Sequence, residues 1–384
     1  MGPAVAHKTL TSFGYPANRL EKQRERQRGF RTLPTTSAQK PPPSHARRFA
    51  VSLVPRSSAA RLLLAVTSLV TGFVPLLRAA DTAVAELPAY SKISGEVAGS
   101  LKCEGSDTMN NLVALWAEGF KKYYPSVREG IQGKGSASAP PALTEGTCSF
   151  GPMSRDWKPS EIDAFKAKHG YAPTVVPTAL DMLVVFVHKD NPLKSLSLQQ
   201  VDAIFSKNRT GGAKADIRTW GDLGLEGEWK DRPISLYGRN ATSGTYGYFK
   251  EFALFKGDFK TTVKEQPGSS AVVQAVASDK FGIGYSGIGY MTANVRAVPL
   301  AAQPDDSAVT PTPDAAYSGD YPLSRFLYLS VNHRPGSELD PLRREFLRYV
   351  LSREGQADVA KDGYLPVTPA VAAEALAEVG IDTP

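Results

Sequence analysis

The 384-residue chain is poor in the residues that most often do chemistry. It has two cysteines, Cys103 and Cys148, and no CxxC. Its five histidines, His7, His45, His169, His188 and His333, form no cluster, so no Cys/His set has zinc-ligand spacing. No GxSxG occurs, which excludes a nucleophile elbow. The string nearest to a nucleotide P-loop, Gly238–Thr245, has Ser243 and Gly244 where that loop needs Gly and Lys. A phosphatase would need a metal cluster or an activated nucleophile, and neither is legible. These absences argue against an enzyme. Any acid–base chemistry would have to come from scattered carboxylates.

Long apolar runs are also missing. The longest is Leu62–Leu77, between Arg61 and Arg78, shorter than the roughly 20 residues that a spanning helix wants. A basic flank, a short apolar stretch and then Ala79 and Ala80 are the parts of a secretory signal, with cleavage expected near those alanines. A retained membrane anchor is the alternative. Residues 1–60 are rich in Pro, Ser, Arg and Gln and offer no core-forming period.

A net basic charge is absent from the part that should fold. Residues 1–80 carry 13 Lys+Arg against 2 Asp+Glu, whereas residues 81–384 carry 32 against 36. The net charge of +7 therefore belongs to the leader and gives no argument for nucleic acid. In an exported protein the two cysteines could form one disulfide, bracing the segments that end at Cys103 and begin after Cys148. Two buried thiols acting as small hydrophobes are the other reading.

What is present is a hydrophobic fraction of 42% and a length too great for one ordinary core, which together predict two lobes. Strand and helix signals alternate. Leu101–Glu104 reads as a strand, followed by a helix from Asn110 with Leu112, Trp116 and Phe120 on one face. Asp107 or Thr108 is its expected N-cap. Further strands are expected at Val127–Ile131, Thr174–Pro177, Met182–His188, Ile234–Tyr237 and Phe281–Ser286. Helices are expected after Ser160, Ser197, Thr245, Ser270, Pro341 and Pro369, the second opened by a Ser197/Gln200 capping box. Residues 301–320 read as a surface loop. The alternation argues an α/β fold with mixed, mostly parallel sheets.

Three segments share one design: a strand, a loop of Gly, Ser and Thr, then a helix start. They are Gly105–Thr108, Gly133–Ser138 and Ala241–Thr245. Helix starts present unpaired N–H groups and partial positive charge, glycine allows close approach, and hydroxyls add donors. One such loop is ordinary capping; three in one chain suggest an oxyanion cradle. Arg239 lies four residues ahead of Ser243-Gly244-Thr245, and Arg155 follows Ser154. A guanidinium fork matches two oxygens of a tetrahedral anion. An ordinary salt bridge is the alternative for each, more so for Arg155.

On GSDTMNNLVALWAEGF, the GKGS turn, FGPMSR and GRNATSGTYGYF, the chain from about 98 to 370 resembles the periplasmic phosphate-binding proteins of ABC importers, the PstS-like solute-binding family. The resemblance implies two α/β lobes joined by crossing strands, with a ligand cleft between them and no catalysis or cofactor. It implies phosphate contacts from Arg239, Ser243, Gly244 and Thr245, and from Thr108 and Ser136. Neighbouring candidates are Ser106, Asp107, Ser154 and Arg155. The implied layout is a leader and signal over 1–80, a linker over 81–96, a first lobe over 97–182, a second over 183–285, and a return to the first over 286–384. The implied partners are inorganic phosphate and the permease and ATPase of an importer, engaged by a periplasmic monomer.

One segment departs from the family pattern. Members place a carboxylate after the GxGS turn, where it accepts the proton of phosphate. Here CSFGPMSRDW puts Ser149 and Ser154 in that region. Asp107 is the nearest replacement acceptor, unless it is only an N-cap, and Asp181 is a second. Rival readings are a binding protein for another oxyanion, such as sulfate or molybdate, and a phosphate-binding surface protein without a transporter.

Overall fold

The computed structural model describes residues 78–381. The preface and the apolar run Leu62–Leu77, with the signal expected there, lie outside the described residues. Along the chain come α1 (Arg78–Ala85), β1 (Gly99–Glu104), α2 (Asn110–Lys121), β2 (Val127–Gln132), α3 (Ala139–Thr144), β3 (Gly151–Met153), α4 (Pro159–His169) and β4 (Thr174–His188). Then follow β5 (Leu196–Ser197), α5 (Leu198–Phe205), β6 (Ser235–Arg239), α6 (Gly244–Phe252), β7 (Lys264–Gln266), α7 (Ser269–Ser278) and β8 (Gly282–Gly287). The chain ends through β9 (Val295–Ala297), β10 (Leu300–Ala301), α8 (Pro313–Tyr317), β11 (Ser324–Val331), α9 (Pro341–Val350), α10 (Arg353–Lys361) and α11 (Pro369–Glu378).

β4 organises the whole. Its 15 residues pair with β11 from Thr174 to Met182, then with β8 from Leu183 to Val187 and with β9 at its end. The sequence predicts two strands here, because Thr178 and Asp181 interrupt the apolar pattern. The structure makes one, because both polar residues find partners. Thr178 Oγ1 donates to Leu327 O at 3.1 Å, and Asp181 pairs with Arg325 at 2.8 Å. Burial then costs little, since the polar atoms are satisfied.

Two sheets share this strand. In the first, β2 pairs parallel with β1, Cys103 bridges Phe150 in parallel just before β3, and β3 and β4 flank β11 antiparallel. In the second, β7, β6 and β8 run parallel, and β4 closes the set antiparallel between β8 and β9. Pairing is thus parallel on the outer strands and antiparallel wherever β4 or β11 takes part.

Two large apolar cores follow from the two sheets. The first joins α2, α9, α10 and α11 around Trp116, Phe120 and Phe346, and includes Val176 and Ala179 of β4. The second runs from Leu180 to Leu323, with Leu365 added, and holds Phe249 stacked on Tyr285 with Phe205 edge-on to both. The return to the first lobe therefore falls at β11, not at residue 286. Val295, Val298, Leu300 and Tyr321 stay in the second core because β9 pairs with β4 and β10 with β5. The crossings are accordingly β4 and β11, and the segment near 283–290 is not one. Residues 81–96 are also more than a linker: Leu87 and Tyr90 are buried in the first core, and Tyr90 Oη donates to Glu345 at 2.7 Å.

Local signals decide the helix ends. Ser197 and Gln200 form the expected capping box, and Asp340 caps α9 ahead of Pro341. α4 starts earlier than expected, at Pro159, with Lys158 rather than Ser160 at its N-cap and Glu161 closing back on Lys158 N. Within 301–320 the chain makes the short helix α8. Cys103 and Cys148 are free thiols, the first buried and the second partly so, and the bracing disulfide is not formed. Burial pushes both thiols up, Cys148 to about 12.

Asp362, just after α10, packs against the turn Ile288–Tyr290, where a Cβ on Gly289 would meet Asp362 O at 2.7 Å. Burial raises its carboxyl to about 6. A raised carboxyl holds its proton more tightly when folded. Its stabilising contribution is therefore complete below the unfolded value near 4 and is lost as pH rises through about 6. Asp362→Asn should match the wild type in Tm at pH 4 and exceed it at pH 7.5. A difference that does not grow with pH would sink the assignment.

Candidate functional site

The site is built where strands end and helices begin, which is where an open α/β sheet binds ligands. The first lobe supplies Gly105–Thr108 after β1, Ser136 after β2 and Ser154 after β3. The second supplies Arg239 at the end of β6, Ser243–Thr245 at the start of α6 and Ser269 at the start of α7. Backbone bonds sew the first-lobe loops into one unit: Gly105 N to Gln132 O (3.0 Å), Ser106 N to Pro152 O (2.7 Å) and Gly135 N to Gly105 O (2.8 Å).

The lobes meet along a glycine seam. Ala137 N donates to Thr242 O at 3.1 Å across it. Gly135 has φ +102, and a Cβ there would stand 2.6 Å from Thr242 O, so no other residue suits the turn. On the opposite side, a Cβ on Gly244 would lie 2.2 Å from Ser136 Oγ and 2.5 Å from Ser154 Oγ.

Around the seam the hydroxyls are buried and interlinked. Ser106 Oγ donates to Ser154 Oγ at 2.9 Å, Ser154 N–H donates to Ser136 Oγ at 3.0 Å, and the Ser136 and Ser154 hydroxyls are 3.3 Å apart. Thr108 Oγ1 and Thr245 Oγ1 are 2.7 Å apart across the lobes. Ser243 is the N-cap of α6, its Oγ accepting from Tyr246 N. Arg239 is 2% exposed, and its Nη1 donates to Ser269 Oγ at 2.7 Å. Its Nε is buried without a hydrogen-bond partner, a position that an anion oxygen would satisfy. Burial draws the guanidinium below its ordinary pKa, while Asp107, Tyr285 and Tyr290 pull it back up.

Asp107 does not cap its own helix. Its Oδ2 reaches the other lobe, accepts from Ser269 N at 2.9 Å and pairs with Arg239 Nη2 at 3.2 Å. A carboxylate over the N-terminus of α7 complements that helix's partial charge and latches the lobes. Arg155 is likewise spent. It grips Glu161 with both Nη atoms at 2.9 and 2.7 Å and also donates to Asp156 O. Burial alone would raise Glu161, but the hydrogen bonds from Arg155 and Lys158 hold it below its usual range. The structure thus favours the salt-bridge reading of Arg155. Asp181, the second candidate acceptor, is fully buried and occupied by Arg325.

Two site residues escape the sequence reading. Ser269 repeats the strand–Gly/Ser–helix design after β7, but Ser270 was the more obvious cap. Arg325 is a lone cation in an apolar strand, and only the register of β11 against β4 puts it opposite Asp181. Among the described residues no group of three His, Cys, Asp or Glu could hold a metal, and no helix is long and apolar enough to cross a membrane.

Two α/β lobes with a buried arginine, buried hydroxyls and helix starts facing one another between them have the layout of a two-lobed substrate-binding protein. The chain belongs to the family described as the PBP superfamily domain, whose match spans residues 91–354. It is similar, with 56% identity over 295 residues, to the phosphate-binding protein PstS of Pseudomonas aeruginosa, covering 77% of this chain and 91% of that protein. A PstS from Staphylococcus haemolyticus is 28% identical over 68% of this chain and 79% of its own. Among solved structures, a Clostridium perfringens substrate-binding protein assigned to phosphate ABC transport, with bound phosphate, superposes with a TM-score of 0.60 at 28% identity, over 70% of this chain and all of that one. An ABC-type phosphate transport receptor from Vibrio cholerae, at 22% identity over 70% of this chain and all of its own with a TM-score of 0.55, shares the fold.

Proposed function

We propose that the protein captures one inorganic phosphate ion between its lobes and delivers it, as an exported periplasmic monomer, to the permease and ATPase of an ABC importer. The observation that carries the reading is Arg239. It is a buried cation with an unpartnered Nε–H, set beside the N-terminus of α6 and a ring of buried hydroxyls. Arg239, Ser243, Gly244, Thr245, Thr108 and Ser136 are the proposed direct contacts, with Ser106 and Ser154 behind them and Ser269 added. Asp107 acts through Arg239, and Arg155 stands aside with Glu161. The names of the relatives favour phosphate over sulfate or molybdate. Closure of the lobes around the ion, rather than chemistry, is the functional event.

Calorimetric titration with phosphate, sulfate and arsenate tests this. Phosphate and arsenate should bind and sulfate should bind far more weakly; tighter sulfate binding would overturn the choice of ligand. Asp107→Asn refines it. The carboxylate is occupied by Ser269 N and Arg239, so it serves as a latch and not as the acceptor of the ligand's proton. The ratio of phosphate to sulfate affinity should stay within about twofold in the variant, below the effect of a mismatched buried acceptor. A ratio moving toward sulfate would make Asp107 the acceptor.

A further inference from the structure

Arg325 is held from every side at the base of the cleft. Its Nε and Nη2 donate to Asp181 Oδ2 at 3.0 and 2.8 Å, and its Nη1 donates to Ser154 O at 2.8 Å. Its Nη2 also donates to Thr245 Oγ1 at 3.1 Å, and its guanidinium carbon lies 5.2 Å from the centre of the Tyr248 ring. Asp181 is fixed in turn, its other oxygen accepting from Ile288 N at 3.3 Å. Arg325 and Asp181 sit on β11 and β4, the two strands that cross between the lobes. Ser154 belongs to the first lobe's loops and Thr245 to the second lobe's helix start. One side chain therefore touches both halves of the site and both crossings.

The chemistry of these contacts has a direction. A guanidinium only donates, so Thr245 Oγ1 must accept from it. The single proton of Thr245 is then free to point only toward Thr108 Oγ1, 2.7 Å away, or toward the ion. Were Arg325 absent, the hydroxyl could turn its proton to the base of the cleft and present a lone pair to the ion, which an oxyanion repels.

We propose that Arg325 is a positioning residue for ion capture: anchored by Asp181, it makes Thr245 Oγ an acceptor toward the crossing strands and so turns the Thr245 proton into the cleft. This rests on the phosphate-binding reading above.

The test is a double-mutant cycle on phosphate affinity in the full-length mature protein. Arg325→Lys keeps a charge beside Asp181 but loses the fork, which avoids an orphaned buried carboxylate. It should weaken phosphate binding by roughly tenfold or more in the wild-type background, and by less than about threefold when Thr245 is already Val, because the two residues act through one hydroxyl. Should Arg325→Lys not fold, the neutral pair Arg325→Gln with Asp181→Asn supplies the same cycle. Equal losses in both backgrounds would overturn the proposal, as would no loss in either. A merely structural arginine would lower Tm equally in both backgrounds and show no coupling in affinity. The parent protein is titrated first. If it binds no phosphate, the functional reading fails; if it binds and the coupling is missing, only the role of Arg325 fails.

Discussion

Replacing Arg239 with Ala should weaken phosphate binding by about thirty- to several-thousand-fold, because truncating one partner of a buried, hydrogen-bonded charge pair costs about 2–5 kcal/mol. Three losses coincide. The ion loses the Nε–H that has no partner in the protein. Ser269 Oγ loses the donor that fixes its orientation. Asp107 keeps only its bond from Ser269 N and becomes a bare negative charge facing the cleft. Residual sulfate binding should fall in parallel, since both anions need the donors. Arg239→Lys should recover part of the charge and little of the geometry, because an ammonium cannot span Ser269, Asp107 and an ion oxygen at once. Calorimetry on the three proteins reads this directly. Wild-type affinity in Arg239→Ala would remove the cradle from this cleft.

Much of this site is written in local sequence. Gly105–Thr108, Ser136 and Ser243–Thr245 lie at strand-to-helix turns whose signals are short-range: an apolar strand, a glycine, a capping hydroxyl. The fold class follows from the same alternation. Other features depend on partners that are distant in sequence. Asp107 reads as the cap of the helix that follows it, yet its carboxylate caps α7, 162 positions away. Arg155 reads as a ligand because it follows a Ser-rich strand end, yet Glu161, six positions on, takes both its Nη atoms. Arg325 and Asp181 are 144 positions apart and meet only through the pairing of β11 with β4. The same pairing explains why the second lobe runs on to Leu323: nothing local in Gly282–Gly287 shows whether the chain leaves the lobe there or adds β9 to its edge.

Gly244→Ala should be almost as damaging to binding as loss of Arg239, while leaving the ligand-free protein intact. In the closed seam the new Cβ would stand 2.2 Å from Ser136 Oγ, 2.5 Å from Ser154 Oγ and 2.9 Å from Ser136 Cβ. Turning the Ser136 hydroxyl removes the first contact but not the third. It also breaks the bond that Ser136 Oγ accepts from Ser154 N. The lobes must therefore part, and every donor on the opposite face retreats from the ion. Overpacking of about 1–3 kcal/mol together with weakened donor contacts predicts a loss of roughly a hundredfold in phosphate affinity. Stability without ligand should hold, because Gly244 opens α6 and alanine is the better helix former; Tm should stay within about 3 °C of wild type. Small-angle scattering should show compaction on saturating phosphate in the wild type and little in the variant. Adding Ser136→Gly removes both Ser136 contacts and should restore part of the compaction, although one hydroxyl donor is gone. If Gly244→Ala closes and binds as the wild type does, the seam between Ser136 and Gly244 is not what sets the closed state. If compaction is lost and Ser136→Gly does not bring any of it back, the damage lies in the start of α6 or in the remaining contact with Ser154 Oγ, and not in the clash with Ser136.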